Sequence, residues 1–230
     1  MPVYKVSKGS ILFPPPEMAA PNGLLAVGGD LSPERLLEAY SKGIFPWFNP
    51  EDIIQWWAPR ERFVIFPDRL HISKSMRKML KTTNLLPKIN FNFPKIINNC
   101  RIAREGETWL SDEMEAAYTA LFNRGNAMCV GIYDESELVG GLYGVVIGKC
   151  FFGESMFSKV ASGSKLALVH LCRHLTEQDF TFIDCKFHTP HLESMGGIYL
   201  SWNEYKRLLN LPRTNLKAKP WDSVPNPANF

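Results

Sequence analysis

Hydrophobic positions after residue 63 change repeatedly between the three-to-four-residue spacing of a helix and the alternate spacing of a strand. Local signals bound these segments, such as Ser73 before the first helix and the short 134–136 connection between two strands. In chain order the pattern predicts helices at 73–82 and 111–125, strands at 127–133, 137–147 and 149–157, a helix at 162–178, a strand at 180–186, and helices at 190–196 and 201–210. By itself this pattern indicates a mixed α/β core.

Residues 1–62 differ from the rest because they are rich in Pro, Gly and Trp and contain one clear helix. Ser32 is the expected N-cap of that helix, Pro33 its first residue and Gly43 its end. Short strands and tight turns are expected elsewhere in this region. We therefore predict a small mixed α/β N-terminal domain over residues 1–62 and a second domain over residues 63–230.

The composition is that of an ordinary soluble protein, with 230 residues, 45% hydrophobic and 21% charged. No apolar run approaches a membrane span and the N-terminus lacks the apolar core of a secretion signal, so a cytoplasmic protein without membrane contact is expected. Five cysteines without C-x-x-C spacing argue against disulfides or a zinc ribbon. His170 and His174 have no evident third ligand, so no metal is expected. A net charge of +3 is compatible with an RNA partner without requiring one, and a monomer is expected.

The segment 151–158 places a carboxylate in an otherwise apolar strand, reading FFGESMFS. Burying Glu154 without a partner would cost several kcal/mol, so it needs an internal cation or a bound one. A structural pair with a nearby Lys or Arg is the simpler alternative.

Three motifs together carry a resemblance to a known family: GGDLSP at 28–33, GIFPWF at 43–48 and GESMFS at 153–158. With them, the chain from about Phe13 to about Leu209 resembles the leucyl/phenylalanyl-tRNA–protein transferases. The resemblance implies an α+β fold with a GNAT-type acyltransferase core, a mixed sheet flanked by helices. It also implies transfer of Leu or Phe from aminoacyl-tRNA to the N-termini of acceptor proteins that begin with Arg or Lys, marking them for N-degron degradation. No cofactor is implied.

The late strand carries the catalytic candidates. Alternation along it predicts that Asp184 and Lys186 share the cleft face, while Ile183 and Cys185 point into the core. Asp184 is then the candidate proton acceptor for the attacking amine, and a surface Asp184–Lys186 pair is the alternative.

Two further expectations follow from the resemblance. It places Glu154 in the active site, where it would take a substrate ammonium. Family members usually carry Gln where this chain has Lys186. A protonated Lys donates hydrogen bonds but cannot receive the amine proton, so Lys186 is expected to polarise a carbonyl or to keep Asp184 ionised. Such a cation would weaken a preference for basic acceptors or favour less basic ones.

Substrate-binding candidates come from the aromatic and apolar residues. Trp47 and Trp109 match the family's substrate-site tryptophans and would stack on the terminal adenosine of tRNA, unless they are interdomain core. An apolar pocket for Leu or Phe, and to some extent Met, is expected from Leu142, Tyr143, Phe151, Met156, Leu168 and Leu171.

One predicted helix carries a cationic stripe at spacing i, i+3, i+4, i+7, formed by Lys74, Arg77, Lys78 and Lys81. It is expected to contact tRNA phosphates, with Arg60 and Arg62 extending the patch. A solvated helix face is the alternative.

Two rival functions remain open at the level of sequence. The first is an acyl-CoA-dependent N-acetyltransferase, although the segment 159–165 (KVASGSK) lacks the usual pyrophosphate-binding pattern. The second is a non-catalytic tRNA-binding module, in which the buried-looking carboxylates Glu154 and Asp184 would have no functional explanation.

Overall fold

The computed structural model describes residues 3–104 and 109–211. Residues 1–2, 105–108 and 212–230 lie outside the described residues. Within the described part of the chain, no helix is both long and apolar enough to cross a lipid bilayer.

The structure contains eleven strands: β1 (Tyr4–Val6), β2 (Leu24–Gly28), β3 (Phe45–Pro46), β4 (Gln55–Trp57), β5 (Glu61–Ile65), β6 (Leu86–Ile89), β7 (Ala127–Asp134), β8 (Glu137–Ile147), β9 (Cys150–Ser158), β10 (Phe182–Lys186) and β11 (Ile198–Ser201) within the described residues. The α-helices of the same ranges are α1 (Pro33–Ser41), α2 (Lys74–Thr82), α3 (Phe93–Ile102), α4 (Asp112–Asn123), α5 (Gly163–Glu177), α6 (Pro190–Ser194) and α7 (Trp202–Leu209). Single 3₁₀ turns occur at Pro16–Met18 and Pro67–Arg69. The helices and strands predicted from the sequence are confirmed to within a few residues, whereas α3, β6 and β11 had not been predicted.

The strands form two sheets. A four-stranded sheet in the order β1-β2-β4-β3 lies within residues 4–57, and a seven-stranded sheet has the order β11-β5-β10-β9-β8-β7-β6. In the larger sheet β9 and β10 are parallel and the other neighbours are antiparallel. This mixed sheet flanked by helices confirms the predicted fold class. The smaller sheet ends at Trp57 and β5 already belongs to the larger one.

Both sheets share one buried core, so the division at residue 62 remains a prediction. A single cluster contains Ala26 and Trp56 from the small sheet together with Phe152 and Phe182 from the large one. A second cluster lies on the other face of the large sheet, where α5 packs against β7 and β8. Each fully buried large apolar side chain contributes about 1.5–3 kcal/mol to stability.

The paired strands β8 and β9 approach closely because of a glycine. A Cβ at Gly144 would lie 2.1 Å from the carbonyl oxygen of Phe152, so no other residue fits without moving the backbone. The register between β8 and β9 shifts at this point, between Tyr143 and Gly144. Such a bulge bends the strand that carries it.

The parallel strands β9 and β10 separate at the centre of the sheet. Their register ends at the pair Phe152–Asp184 among the described residues, while β9 continues to Ser158 and β10 to Lys186. The resulting gap between the two strands determines where the candidate site lies.

Candidate functional site

A cavity of about 510 Å³ opens where β9 and β10 separate. Its wall comes from both strands, from α5 and α6 and from the β3 segment of the N-terminal region. The apolar part of the wall consists of Leu142, Phe151, Met156, Leu168, Leu171 and Ile183. Aromatic residues of the wall are Phe45, Trp47, Trp109, Tyr143 and Phe187, and its charged residues are Arg104, Glu154 and Lys186.

The structure brings together both predicted tryptophans and all six predicted pocket residues around this one cavity. Trp47 is 43% exposed and Trp109 only 8%. The Trp57 indole nitrogen donates to the Trp47 carbonyl oxygen at 2.6 Å, and the two rings pack edge-on at 5.6 Å. Phe187 contacts the Trp47 ring at 5.3 Å. Trp47 is therefore held from two sides while much of its side chain stays open to solvent.

Glu154 has the internal partners that its burial requires. Its Oε1 accepts a hydrogen bond from the Tyr40 hydroxyl at 2.7 Å, and its Oε2 accepts from the Tyr118 hydroxyl at 2.9 Å. Lys186 Nζ donates to the same Oε2 at 2.5 Å. The two tyrosine hydroxyls also lie 2.9 Å apart. All three donors come from the chain itself, so the hydrogen-bonding demand of this buried carboxylate is met without any ligand.

Lys186 stands between Glu154 and the cavity. Its side chain is 9% exposed, whereas that of Glu154 is fully buried. Nζ also lies 4.8 Å from the centre of the Phe45 ring. Burial lowers the pKa of Lys186 below its ordinary value, and the neighbouring Glu154 carboxylate opposes that shift.

A β-bulge turns Lys186 toward Glu154. The register of β10 against β5 shifts between Asp184 and Lys186, and Lys186 has a left-handed φ of 65°. Asp184 Oδ1 accepts a hydrogen bond from the Lys186 backbone N–H at 2.8 Å, which stabilises this conformation. A non-glycine residue in this region is energetically unfavourable and persists only where surrounding contacts fix it.

The prediction that Asp184 faces the cleft is wrong. Its carboxyl is fully buried and forms an ion pair with Arg62, which is equally buried. The Tyr205 hydroxyl donates to Asp184 Oδ2 at 2.7 Å, and Arg62 Nη1 donates to the Gly43 carbonyl at 2.5 Å. Strand alternation places Ile183 on the cavity side and Asp184 on the opposite one, and only the bulge brings Lys186 back to the cavity.

Cys185 packs against the core as predicted, but the prediction that it points away from the cleft is wrong, because Cys185 also lines the cavity. Burial, followed by the adjacent Asp184, raises the pKa of its thiol well above the usual value. Cys185 is therefore a neutral thiol at pH 7, which argues against a role as a nucleophile.

The cationic stripe of α2 is exposed, but Arg62 does not extend it. Lys74, Arg77, Lys78 and Lys81 are all exposed, and none has an ion-pair partner among residues 3–104 and 109–211. Arg60 is exposed as well. The Arg62 guanidinium lies between the Phe45 and Tyr205 rings, at 5.0 and 4.6 Å from their centres. Burial works against its charge, but the Asp184 carboxylate together with Tyr205 and Tyr40 outweighs burial, and the pKa of Arg62 is raised.

Several residues of the site had not been predicted. Tyr40 lies in the helix that was predicted near the N-terminus, and its hydroxyl contacts Glu154, 114 residues away in sequence. Tyr118, Arg104 and Phe187 carry no motif that marks them. His191 also lines the cavity, and burial, followed by Lys165, lowers the pKa of its imidazole, so it is neutral at pH 7.

Comparison with known proteins identifies the family. Residues 64–210 match the model of the leucyl/phenylalanyl-tRNA protein transferases, and residues 29–60 match the model of the N-terminal domain of the same enzymes. The chain belongs to this family. The predicted family is thereby confirmed, and the protein is a transferase enzyme.

Individual relatives agree over nearly their whole length. Proteins named leucyl/phenylalanyl-tRNA–protein transferase include one from Nitrosomonas europaea, 50% identical over 213 residues that cover 89% of this chain and 90% of the relative. The one from Syntrophus aciditrophicus is 44% identical over 235 residues, covering 100% of this chain and 97% of the relative.

Solved structures give only distant similarity. An N-acetyltransferase from Thermoplasma acidophilum in complex with coenzyme A is 10% identical with a TM-score of 0.34, covering 41% of this chain and 74% of its own. The C-terminal domain of a lysylphosphatidylglycerol synthetase from Agrobacterium fabrum is 12% identical with a TM-score of 0.40, covering 74% and 56%. Scores this low carry no conclusion about function.

Proposed function

We propose that this protein transfers Leu or Phe from aminoacyl-tRNA to the N-terminal α-amine of acceptor proteins, by direct aminolysis in the cavity between β9 and β10. The observation that carries the proposal is the meeting of three features in one cavity: an apolar pocket, two tryptophans and the Lys186–Glu154 pair. Each feature corresponds to one part of the substrate.

The apolar pocket suits the transferred side chain. Leu142, Met156 and Leu168 are among its walls and place no hydrogen-bonding demand on a ligand. A pocket of this kind separates side chains that differ by one methylene by about 1–3 kcal/mol. It therefore favours Leu and Phe over polar residues and accepts Met as a weaker substrate.

The tryptophans suit the 3′-terminal adenosine of tRNA. Trp47 and Trp109 both border the cavity, and Trp47 is held in place while remaining partly exposed. Stacking of a base on an aromatic ring contributes about 1–3 kcal/mol. Adenine bound there would place its ribose ester near the centre of the cavity.

The chemistry needs no covalent enzyme intermediate, because an aminoacyl ester is already activated. The acceptor amine forms the new C–N bond, and the carbonyl oxygen becomes an oxyanion. The C–O bond to the ribose then breaks, and the ribose oxygen takes up a proton while the amine nitrogen loses one. A free α-amine has a pKa of about 8, so part of the acceptor amine is already neutral and nucleophilic at pH 7.

Lys186 is the residue that best fits stabilisation of the oxyanion. Its ammonium has three donors, of which one bonds to Glu154, and it borders the cavity. A cation in a partly desolvated site stabilises developing negative charge more strongly than it would in water. The same cation lowers the pKa of a nearby substrate amine and so favours its reactive neutral form. Glu154, fixed by Tyr40 and Tyr118, keeps Lys186 charged and in place.

Asp184 acts through Lys186 rather than on the substrate. Its carboxylate is paired with Arg62 and accepts the backbone N–H of Lys186. Asp184 is thus a positioning residue in this proposal, which replaces its predicted role as proton acceptor.

The exposed stripe on α2 supports tRNA binding. Its four cations have no ion-pair partner among the described residues, so they are available to contact a phosphate backbone without reading sequence, a contribution that falls as salt rises. Acceptors beginning with Arg or Lys, marked in this way for N-degron degradation, are what the family resemblance implies.

The rival N-acetyltransferase reaction has less support at the start of α5. The Ser164 backbone N–H donates to the Ser158 hydroxyl at 3.0 Å, so this N–H of the helix N-terminus is already engaged. An acyl-CoA pyrophosphate would need such groups free.

Transfer assays with three donors test the proposal. Purified protein is incubated with an acceptor peptide and labelled Leu-tRNA, Phe-tRNA or acetyl-CoA, using a pool of peptides that covers several first residues. We expect labelled peptide from both charged tRNAs and none from acetyl-CoA. Labelling from acetyl-CoA alone would establish the rival reaction, and binding of tRNA without any transfer would establish a non-catalytic module.

A further inference from the structure

The charged groups that line the cavity carry an excess of positive charge. Lys186 and Arg104 are cations, and Glu154 is the matching carboxylate among the described residues. His191 is neutral at pH 7 because burial, followed by Lys165, lowers its pKa. The count covers the described wall only, since residues 105–108 lie outside it.

The Glu154 carboxylate is already fully engaged. It accepts from Tyr40, Tyr118 and Lys186 within 2.5–2.9 Å. An ammonium or guanidinium from a substrate would have to displace Lys186 from it. Lys186 belongs to the same chain and is held by the bulge of β10, so its effective concentration at Glu154 exceeds that of any free ligand.

Lys186, by contrast, still has donors to offer. One of its three N–H groups bonds to Glu154, and the other close contacts of Nζ within the described part of the chain are the faces of aromatic rings at 4.8 and 5.9 Å. A carboxylate that enters the cavity can therefore accept a hydrogen bond from Nζ without breaking any existing one.

The position of the reaction brings the acceptor's first side chain close to this ammonium. Lys186 lines the same cavity as the apolar pocket and the tryptophans, and its Nζ lies 4.8 Å from the Phe45 ring, which packs with Trp47 against Phe187. In the proposed function the attacked ester carbon joins the group in the pocket to the adenosine at the tryptophans, so it is placed near this ammonium. The side chain of the acceptor's first residue, which is attached next to the attacking amine, then lies close in space to Nζ. A like charge at that separation is repelled and an opposite charge is attracted, and both effects are enhanced in a partly buried site.

We propose that Lys186, assisted by Arg104 at the cavity wall, makes this transferase select acceptors whose first residue carries a carboxylate, Asp or Glu, over acceptors that begin with Arg or Lys. The inference rests on the proposed function. It reverses the acceptor preference that the family resemblance implies.

Acceptor peptides identical except for the first residue test the inference. Peptides beginning with Asp, Glu, Gln, Arg and Lys are each supplied with labelled Leu-tRNA at low salt, and kcat/KM is measured. We expect the Asp peptide to exceed the Arg peptide by about tenfold or more, with Gln in between and the ratio declining as salt rises.

Substitutions at the cavity test which residue determines the acceptor preference. Lys186→Gln should lower the Asp-to-Arg ratio by about tenfold, whatever its effect on the absolute rate, and Arg104→Gln should lower it by a smaller factor. Lys95→Gln removes the same charge from the exposed face of α3 and should leave the ratio unchanged. If Lys186→Gln transfers too slowly to measure, Lys186→Arg keeps the cation and should keep the wild-type ratio.

Two results would overturn the inference while leaving the proposed function intact. They are a wild-type preference for Arg or Lys, and a ratio in Lys186→Gln equal to that of the wild type. Absence of transfer to every peptide, including the neutral one, would instead overturn the proposed function and this inference with it.

Discussion

Two ion pairs on the same strand differ in their access to solvent. Asp184 pairs with Arg62, and both side chains have no exposed surface. Two residues further along β10, Lys186 pairs with Glu154, and the ammonium reaches the cavity with 9% of its side chain exposed. One strand therefore carries a sealed pair and an open pair side by side.

The difference shows which pair can take part in chemistry. A sealed pair cannot exchange a proton with a substrate or contact it, so its contribution is to fix the positions of the elements that it joins. The Arg62–Asp184 pair links β5, β10, α7 and the turn at Gly43. The open pair can lose or gain a hydrogen bond without unfolding the chain. In this account the sealed pair fixes the backbone that presents the open one.

The largest expected effect is the loss of stability when the sealed pair Arg62–Asp184 is broken. Asp184→Ala leaves the Arg62 charge buried without a partner and should cost about 3–5 kcal/mol in the free energy of unfolding, measured by urea denaturation. The double variant Arg62→Met, Asp184→Leu removes both charges and should recover most of that stability without recovering transfer activity. A loss of less than about 1 kcal/mol in Asp184→Ala would mean that the pair is not the structural element described.

The open pair should show the opposite behaviour. Glu154→Gln keeps the size of the side chain but removes the charge that holds Lys186, and kcat/KM for transfer should fall by about 10²–10³. Its urea midpoint should stay closer to the wild type than that of Asp184→Ala. Glu137→Gln, an exposed change at the start of β8, is the matched control for activity. A larger stability loss in Glu154→Gln than in Asp184→Ala would reverse the comparison.

Substitution of Trp47 should affect substrate binding and not stability, in contrast to substitution of the sealed pair. Trp47→Ala should raise KM for aminoacyl-tRNA by about tenfold because one stacking surface is lost, while Trp47→Phe, which keeps a ring, should raise it less. Neither variant should change the urea midpoint as Asp184→Ala does. Equal KM values in all three proteins would remove Trp47 from adenosine binding.

A smaller effect is expected in the pH profile. Transfer should rise toward pH about 8 as the acceptor amine loses its proton. As the pH rises further, transfer should fall again because Lys186 loses its proton and the oxyanion loses its cation. This decline should begin at a pH lower than 10.5, the ordinary pKa of lysine, because burial lowers the pKa of Lys186. Lys186→Arg should shift this alkaline decline to higher pH, since arginine stays charged. An unchanged alkaline decline in Lys186→Arg would assign it to another group.

The smallest effect concerns α2, which belongs to neither pair. Lys78→Gln should weaken tRNA binding by about two- to threefold and reduce the slope of log affinity against log salt by about one. Lys95→Gln on α3 should change neither quantity. A salt slope that stays the same in Lys78→Gln would identify the stripe as a solvated face.

Local signals in the sequence predicted much of the fold. Ser73 caps α2 by accepting the Met76 N–H at 3.2 Å, and α1 starts at Pro33 as expected. These interactions connect near neighbours in the chain, so their pattern is visible in the sequence. The six residues of the predicted apolar pocket line one cavity, and their role in binding Leu or Phe stays a prediction.

Predictions from the sequence were wrong or missing where contacts between residues distant in the chain determine the position of a side chain. Alternation predicted that Asp184 and Lys186 share the cleft face, but a bulge between them, stabilised by Asp184, leaves Asp184 on the side away from the cavity and turns Lys186 toward it. Arg62 was taken for a surface cation because its partner is 122 residues away. Tyr40 was not predicted as a site residue because nothing nearby in the chain signals its bond to Glu154.

The most direct test of the central claim is a crystal structure with a non-hydrolysable aminoacyl-adenosine analogue, in which an amide replaces the ester. The account predicts that Lys186 Nζ lies within about 3 Å of the carbonyl oxygen of the analogue while Asp184 remains paired with Arg62. An Asp184 carboxylate released from Arg62 and in contact with the analogue, with Lys186 turned away, would contradict it.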